Sequence, residues 1–153
     1  MSALELKIPP VAVTVLFAAL MWLLAAATPG FPLALHWRVA GFAALTVIGG
    51  AIGLAGVRSF HRAQTTVNPL NPERSTALVV SGVYRYSRNP MYLALFLALL
   101  GWGLYLANAF SLLAALAFIP WMNRFQIGPE ERALAKTHGA EFAAYCRQVR
   151  RWL

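Results

Sequence analysis

Apolar residues run almost without a break through Val11–Ala27, Val39–Val57 and Met91–Met122, and polar residues gather between and after these runs. Such runs lack the one-sided pattern of a surface helix and are long enough to face hydrocarbon all round. The first run reads as an uncleaved membrane helix. Ala25-Ala26-Ala27 imitates a signal-peptidase site, but the stretch before the run is only weakly basic. Thr28-Pro29-Gly30-Phe31-Pro32 predicts a turn, because two prolines and a glycine do not sustain a helix. His36-Trp37-Arg38 reads as an interfacial anchor. In the second run, Gly49, Gly50, Gly53 and Gly56 form a small-residue face that lets another helix approach. The third run covers 32 residues, Met91 to Met122. As one helix it would be about 48 Å long, against a hydrocarbon core of about 30 Å. A hairpin bent near Ala107-Asn108 fits better, with Pro120 kinking or ending its second arm. The predicted spans are 11–27, 39–57, 91–106 and 109–122.

The polar stretches carry their own patterns. Ser2–Pro10 is a short amphipathic lead holding Glu5 and Lys7. Arg58–Asn89 is a long polar connection, with turns at Asn68-Pro69 and Asn71-Pro72 and a docking patch at Leu78-Val79-Val80. Pro129–Tyr145 predicts an amphipathic helix with Pro129 at its first position. Leu134, His138, Phe142, Tyr145 and Val149 share its inner face, Arg132, Lys136 and Arg147 point elsewhere, and Gly139 bends or breaks it.

Composition makes the membrane reading firmer. Of 153 residues 59% are hydrophobic and 12% charged, where a soluble domain has about 25% charged residues. The predicted fold is an all-α integral membrane protein, one domain over residues 1–153. It has about four transmembrane helices, a cytoplasmic loop and a C-terminal amphipathic helix. The net charge of +8 does not form a nucleic-acid stripe. Every lysine and arginine except Arg38 falls on one side of an even number of spans, which sets both termini in the cytoplasm. A bacterial inner membrane is the expected location. The single Cys146 makes no internal disulfide, and no metal-binding motif is present.

The chemistry concentrates in Ser81–Tyr92, a basic and aromatic stretch directly before the third run, and in Glu130-Glu131 after it. Arg85 and Arg88 as membrane anchors, with Tyr84, Tyr86 and Tyr92 as interfacial aromatics, is the plainer reading. First-turn acids that favour the helix dipole is the plainer reading of the glutamates. Against both stands the hairpin, which returns the carboxylates to the face that the loop occupies. Arg88 and Glu131 are therefore expected to meet.

Gly82-x-Tyr84, then Arg88-Asn89-Pro90-x-Tyr92, an apolar hairpin, and Glu130-Glu131-x-x-Leu134 with Gly139 and Tyr145 resemble the C-terminal core of the isoprenylcysteine carboxyl methyltransferase family. The related phospholipid N-methyltransferases share this pattern. The resemblance covers Leu78 to Trp152. It implies an integral membrane enzyme that uses S-adenosylmethionine without a Rossmann domain, with the cofactor pocket in segments 78–92 and 124–146 and a lipid-like substrate entering from the bilayer. Carried over, it assigns Gly82, Tyr84, Arg88, Asn89, Pro90, Tyr92, Glu130 and Glu131 to the cofactor, with Arg88 and Glu130 as catalytic residues. The family usually has histidine where Asn89 stands, often phenylalanine and tyrosine where His138 and Phe142 stand, and commonly glycine where Ala94 stands.

The residue types suit that cofactor. Carboxylates answer its amino group and ribose hydroxyls, an arginine its carboxylate, and aromatic faces its sulfonium. Thr65, Thr66 and Asn68 fall where a pocket mouth would be. Arg124 reads as a lipid-headgroup contact, and His61, His138, Tyr145 and Trp152 as packing or interfacial residues. The expected reaction is carboxyl O-methylation of a lipid-like substrate, with phospholipid N-methylation as the alternative. A four-helix transporter or a structural subunit is the reading from another class. A transporter wants an acid within a span, and all five glutamates lie outside the spans drawn above. At least one of the two glutamates is expected to bind the cofactor, so one or both of Glu130→Gln and Glu131→Gln should weaken cofactor binding and leave melting almost unchanged.

Overall fold

The computed structural model describes residues 5–63 and 78–153. The turns at Asn68-Pro69 and Asn71-Pro72, and the pocket-mouth residues Thr65, Thr66 and Asn68, lie outside the described residues. The described chain is all-helical: α1 (Pro10–Ala27), α2 (Leu35–Arg62), a single 3-10 turn (Gly82–Arg85), α3 (Pro90–Leu106), α4 (Ala109–Met122), a π turn (Asn123–Ile127) and α5 (Gly128–Gln148). α2 is longer than its apolar run at both ends. His36-Trp37-Arg38 lies inside it, and nothing from Arg58 to Arg62 breaks a helix.

The hairpin bend falls where the sequence placed it, and a polar knot holds it. Ala107 takes a left-handed backbone, φ 49°, and ends α3. Asn108 then caps α4: its Oδ1 accepts from the Ser111 N–H at 2.9 Å, while its Nδ2 donates to Thr28 Oγ1 at 2.8 Å and to the Pro29 carbonyl at 3.2 Å. The Phe31 N–H donates to the Ala107 carbonyl at 2.8 Å, and Ser111 Oγ to the Met21 carbonyl at 2.7 Å. Asn108 and Ser111 are fully buried, so these bonds answer groups that would otherwise be costly to bury. Gly30 belongs to the knot, because a Cβ there would stand 2.9 Å from the Ala107 carbonyl oxygen.

Arg38, the basic residue that broke the charge pattern, has a local explanation at this end of the molecule. Its Nε donates to the Tyr105 carbonyl at 2.5 Å, and its guanidinium lies 5.6 Å from the Tyr105 ring centre. A cation there satisfies an orphan carbonyl in the last turn of α3.

α2 packs along α3 by close backbone approach. A Cβ on Gly49 would stand 2.9 Å from the Ala94 carbonyl oxygen, and one on Gly56 would stand 3.1 Å from Met91. Gly53 faces the Ala94 side chain, so small residues on α2 make room for an alanine where the family commonly has glycine. Gly50 corrects the sequence reading: it meets nothing within 4 Å. One position beyond Gly49 turns about 100° away from the contact. α1 packs on α4 through Phe17 and Phe118, rings edge-on at 5.5 Å, and accepts at the Ala18 carbonyl from Trp102 Nε1 at 3.1 Å.

α1 and α2 are long and apolar enough to cross a membrane, yet only 17% and 11% of their most apolar windows are buried. Val11, Leu16, Trp22, Val47 and Leu54 point outward. A soluble core helix would hide these side chains, whereas hydrocarbon welcomes them. α3 and α4 are shorter, 17 and 14 residues. Pro120 does not end α4. The helix passes through it and widens into the π turn after Met122.

The N-terminal lead is docked onto that π turn. The Leu6 N–H donates to the Phe125 carbonyl at 3.1 Å, and Gln126 Nε2 to the Ile8 carbonyl at 2.6 Å. Glu5, buried, pairs with Arg124 at 2.9 Å and Arg132 at 2.8 Å. Arg124, expected to meet headgroups, is thus also an ion-pair partner of Glu5.

Asn108→Ala should destabilise the protein by about 1–3 kcal/mol, the loss expected when buried partners go unanswered. Thermal unfolding in detergent measures this, and an unchanged melting temperature would show that the knot contributes little.

Candidate functional site

The loop before α3 is shaped by three short-range devices. Gly82 has φ +62°, a backbone that glycine adopts without strain. The following 3-10 turn carries Tyr84 inward against Phe60, rings edge-on at 5.4 Å. Ser87, buried, accepts the Asn89 N–H at 3.1 Å and tightens the approach to Pro90, which starts α3. Tyr92, in the first turn of α3, then faces the beginning of α5.

The π turn sets the opposite wall. It keeps the backbone in the right-handed helical region from Met122 into Gly128. α5 therefore continues the chain's helical path and has no free N-terminus. This corrects the idea of Glu130 and Glu131 as acids at a bare helix start, since the row of open N–H groups that favours acids is missing. Side chains hold them instead. Tyr92 donates its hydroxyl to Glu130 Oε1. Glu131, one position on, turns to Arg88, whose Nη2 lies 2.8 Å from Oε1. The expected meeting of the loop and the start of α5 is found.

Arg88 does more than pair with one acid. Its Nη1 donates to the carbonyls of Cys146 at 3.1 Å and Val149 at 2.7 Å, and its Nε is buried without a partner among the described residues. Arg151 completes the cluster. It donates through Nε to Glu131 Oε1 at 3.1 Å and through Nη2 to Oε2. Asn89 Nδ2 donates to the Arg151 carbonyl at 2.9 Å, and the Arg88 N–H to the Arg150 carbonyl at 3.0 Å. Asn89 thus contributes a hydrogen-bonding side chain that straps the C-terminal segment down. Trp152 packs on Phe96 and donates to Asn123 Oδ1 at 3.1 Å.

The inner face of α5 is as the sequence spacing predicted. Phe142, Tyr145 and Val149 are buried together, with Leu134 and Leu78 packed against them, so the Leu78 patch docks on protein. The Tyr145 hydroxyl donates to the Tyr84 carbonyl at 2.7 Å. Gly139, at φ 44° and ψ −116°, breaks the helix midway. His138 Nε2 is buried without a partner among the described residues, and His61 is exposed.

Protein surrounds the Glu130 carboxylate closely although the residue keeps some accessible surface. That burial pushes its pKa up to about 8; the Tyr92 hydrogen bond opposes the shift and the neighbouring Glu131 charge adds to it. Burial, with Tyr145 and Glu130 nearby, holds the Tyr84 hydroxyl well above the usual phenol range. Burial also raises Tyr145, against the pull of Arg88.

Of the residues singled out in the sequence, Tyr84, Arg88, Tyr92, Glu130 and Glu131 converge with Asn89 and Pro90, while Gly82 shapes the loop from its outer side. Arg151 was missed. Its signal was faint: a second arginine just past the end of an amphipathic face. Among the described residues no group of histidines, cysteines and acids is arranged to hold a metal. Residues 37–141, more than half of the chain, match a family model described as phospholipid methyltransferase. No curated protein and no solved structure matches the chain.

Glu131→Gln should be far from neutral to the fold. Arg88 and Glu131 side chains are 14% and 19% exposed, and removing one partner of such a pair leaves a shielded charge uncompensated, at a cost of about 3 kcal/mol. Arg151 is 38% exposed, so Arg151→Gln should lower stability by only about 1 kcal/mol or less. Melting curves of both variants give the order; equal small losses would remove Glu131 from the structural role assigned here.

Proposed function

The chain belongs to the phospholipid methyltransferase family, and on that premise we propose that it carries a methyl group from S-adenosylmethionine to the amine headgroup of a membrane amphiphile. Members of the family are membrane methyltransferases that act on lipid-like substrates, and the outward apolar faces of α1 and α2 agree with that setting.

The donor set fits the cofactor. The buried, unanswered Arg88 Nε is the donor that a carboxylate would satisfy, Tyr84 and Tyr92 offer aromatic faces to a cation, and Glu130 offers a carboxylate. When bound, S-adenosylmethionine supplies a methyl group already activated on a sulfonium. The chain's part is then to align the acceptor with it, keep water away and manage one proton. Both Glu131 oxygens are engaged by Arg88 and Arg151, so Glu131 acts here as the holder of Arg88.

The observation that carries the choice of acceptor is Glu130. A carboxylate acceptor, the first expectation from sequence, needs no base. An ammonium must lose a proton before its nitrogen can take a methyl group, and a base works best with a pKa near the operating pH. Glu130, pushed up to about 8 and oriented by the Tyr92 hydroxyl, meets that requirement. Phospholipid N-methylation is therefore the reading preferred over carboxyl O-methylation.

We also propose four spans, α1 to α4, with the site at the cytoplasmic face. Support comes from the α3–α4 bend and from the one-sided clustering of twelve of the thirteen basic residues, to which Arg38 stays the one exception, held locally by Tyr105. α4 is about 21 Å long by its residue count, so the bilayer would have to thin or α4 draw on the π turn. A reporter fused at Leu153 should be active in the cytoplasm; activity on the outer side alone would reverse the topology.

The acceptor is tested with methyl-labelled S-adenosylmethionine and two lipids, phosphatidylethanolamine and an isoprenylcysteine carboxylate. Label is expected in the amine lipid, with a rate that rises with pH through about 8 as Glu130 loses its proton. Glu130→Gln should lose that rise. It should also flatten the stability profile: a carboxyl raised from 4.5 to about 8 on folding stabilises the parent at low pH, and this contribution fades as pH climbs through that window. Label found only as a methyl ester would move the acceptor to the carboxylate.

A further inference from the structure

The last turns of α2 and the Gly82 loop enclose a second feature, a cleft of about 230 Å³ lined by Ala55, Arg58, Ser59, Arg62, Gly82 and Val83. Arg58 and Arg62 are four positions apart and so share one face of the helix. Like charges at that spacing repel, and none of the ion pairs among the described residues involves either of them. The cleft therefore brings together two cations that the described protein leaves unanswered.

Its walls are fixed by close contact. A Cβ on Gly82 would stand 2.7 Å from Ser59 Oγ, so only glycine lets the loop press against α2 at the base of the cleft. Ser59 is buried and donates its hydroxyl to the Ala55 carbonyl at 3.0 Å. The Phe60 and Tyr84 rings lock the same loop to α2 from the other side. The two arginines thus flank a wall that does not depend on their own order.

Position chooses the ligand. α2 is a 28-residue helix apolar enough to cross a membrane, and Leu54, one turn before Arg58, points outward. With α2 across a membrane, the arginines near its C-terminal end would stand where the helix leaves hydrocarbon, in the layer of lipid headgroups. Arginine forks match phosphate oxygens there, and the stem of each side chain can lie along apolar surface. We propose that Arg58 and Arg62 bind the phosphate of a membrane lipid in this cleft, on the α2 side of the Gly82 loop, with neither arginine among the residues assigned to the cofactor. The shared chemistry with free phosphate is an oxyanion between two guanidinium groups; the outward apolar surface next to it selects the lipid.

The test uses protein purified in dodecyl maltoside, which carries no phosphate. Short-chain dihexanoyl phosphatidylglycerol and inorganic phosphate are titrated separately, with binding read by phosphorus NMR and by melting temperature. The lipid should bind and raise the melting temperature, and inorganic phosphate should bind at least tenfold more weakly. Arg58→Gln with Arg62→Gln should weaken lipid binding by about tenfold or more, as loss of charge-assisted contacts implies. Arg62→Gln alone should fall between the two. Both side chains are exposed, so the variants should melt like the parent without lipid and bind S-adenosylmethionine as the parent does, which keeps this outcome separate from the methyl-transfer reading. Lipid binding by the double variant at parent strength, no binding by the parent, or equal binding of inorganic phosphate would each overturn the proposal.

Discussion

One carboxylate, Glu131, ties together the end of the molecule where α3 and α5 begin. It receives Arg88 from the loop before α3 and Arg151 from the C-terminal segment. Arg88 in turn holds the last carbonyls of α5. Three pieces of chain far apart in sequence, the loop before α3, the start of α5 and its C-terminal end with the tail, thus meet at one shielded charge. Neither arginine alone explains the arrangement, because each also serves a backbone: Arg88 as a cap for α5, Arg151 through the carbonyl that Asn89 seizes. Such a junction is strong in a place of low exposure and fragile to loss of its single acid.

The junction depends on two departures from regular helix. The π turn after α4 widens the path enough to aim Glu130 at Tyr92 and Glu131 at Arg88, a re-aiming that π turns commonly achieve at functional sites. The break at Gly139 then lets the second half of α5 lay Phe142, Tyr145 and Val149 under the Gly82 loop. The result sets side by side two carboxyls with different partners. Glu131 is neutralised by two guanidinium groups and serves the fold. Glu130, met by a phenol and closely surrounded, has its pKa pushed up by that burial.

Much of this was legible because it rests on local patterns. Unbroken apolar runs give helices for lipid, Ala107-Asn108 interrupts a run too long for one span, and the spacing from Leu134 to Val149 defines a face. The meeting of Arg88 with Glu131 followed from a hairpin returning to its own side. What stayed hidden depends on partners distant in the chain or on exact rotation. Glu5 finds Arg124 and Arg132 more than a hundred residues away. Arg151 looks like one more basic residue until the tail folds back. Gly50 belongs to a glycine cluster in sequence but turns out of the contact, and no residue type announces a π turn. The different roles of the two adjacent acids were hidden for the same reason: sequence showed two neighbouring carboxylates, while the structure gives each its own partners.

The central claim is that the Gly82–Tyr92 loop and the start of α5 together form one binding surface for S-adenosylmethionine. Hydrogen–deuterium exchange of the purified protein with and without that ligand tests it most directly. The account predicts that added S-adenosylmethionine slows exchange in Gly82–Tyr92 and in Gly128–Leu134 over the same concentration range, and leaves the Ala107-Asn108 bend unchanged. Protection confined to other segments, or none at saturating ligand, would contradict it.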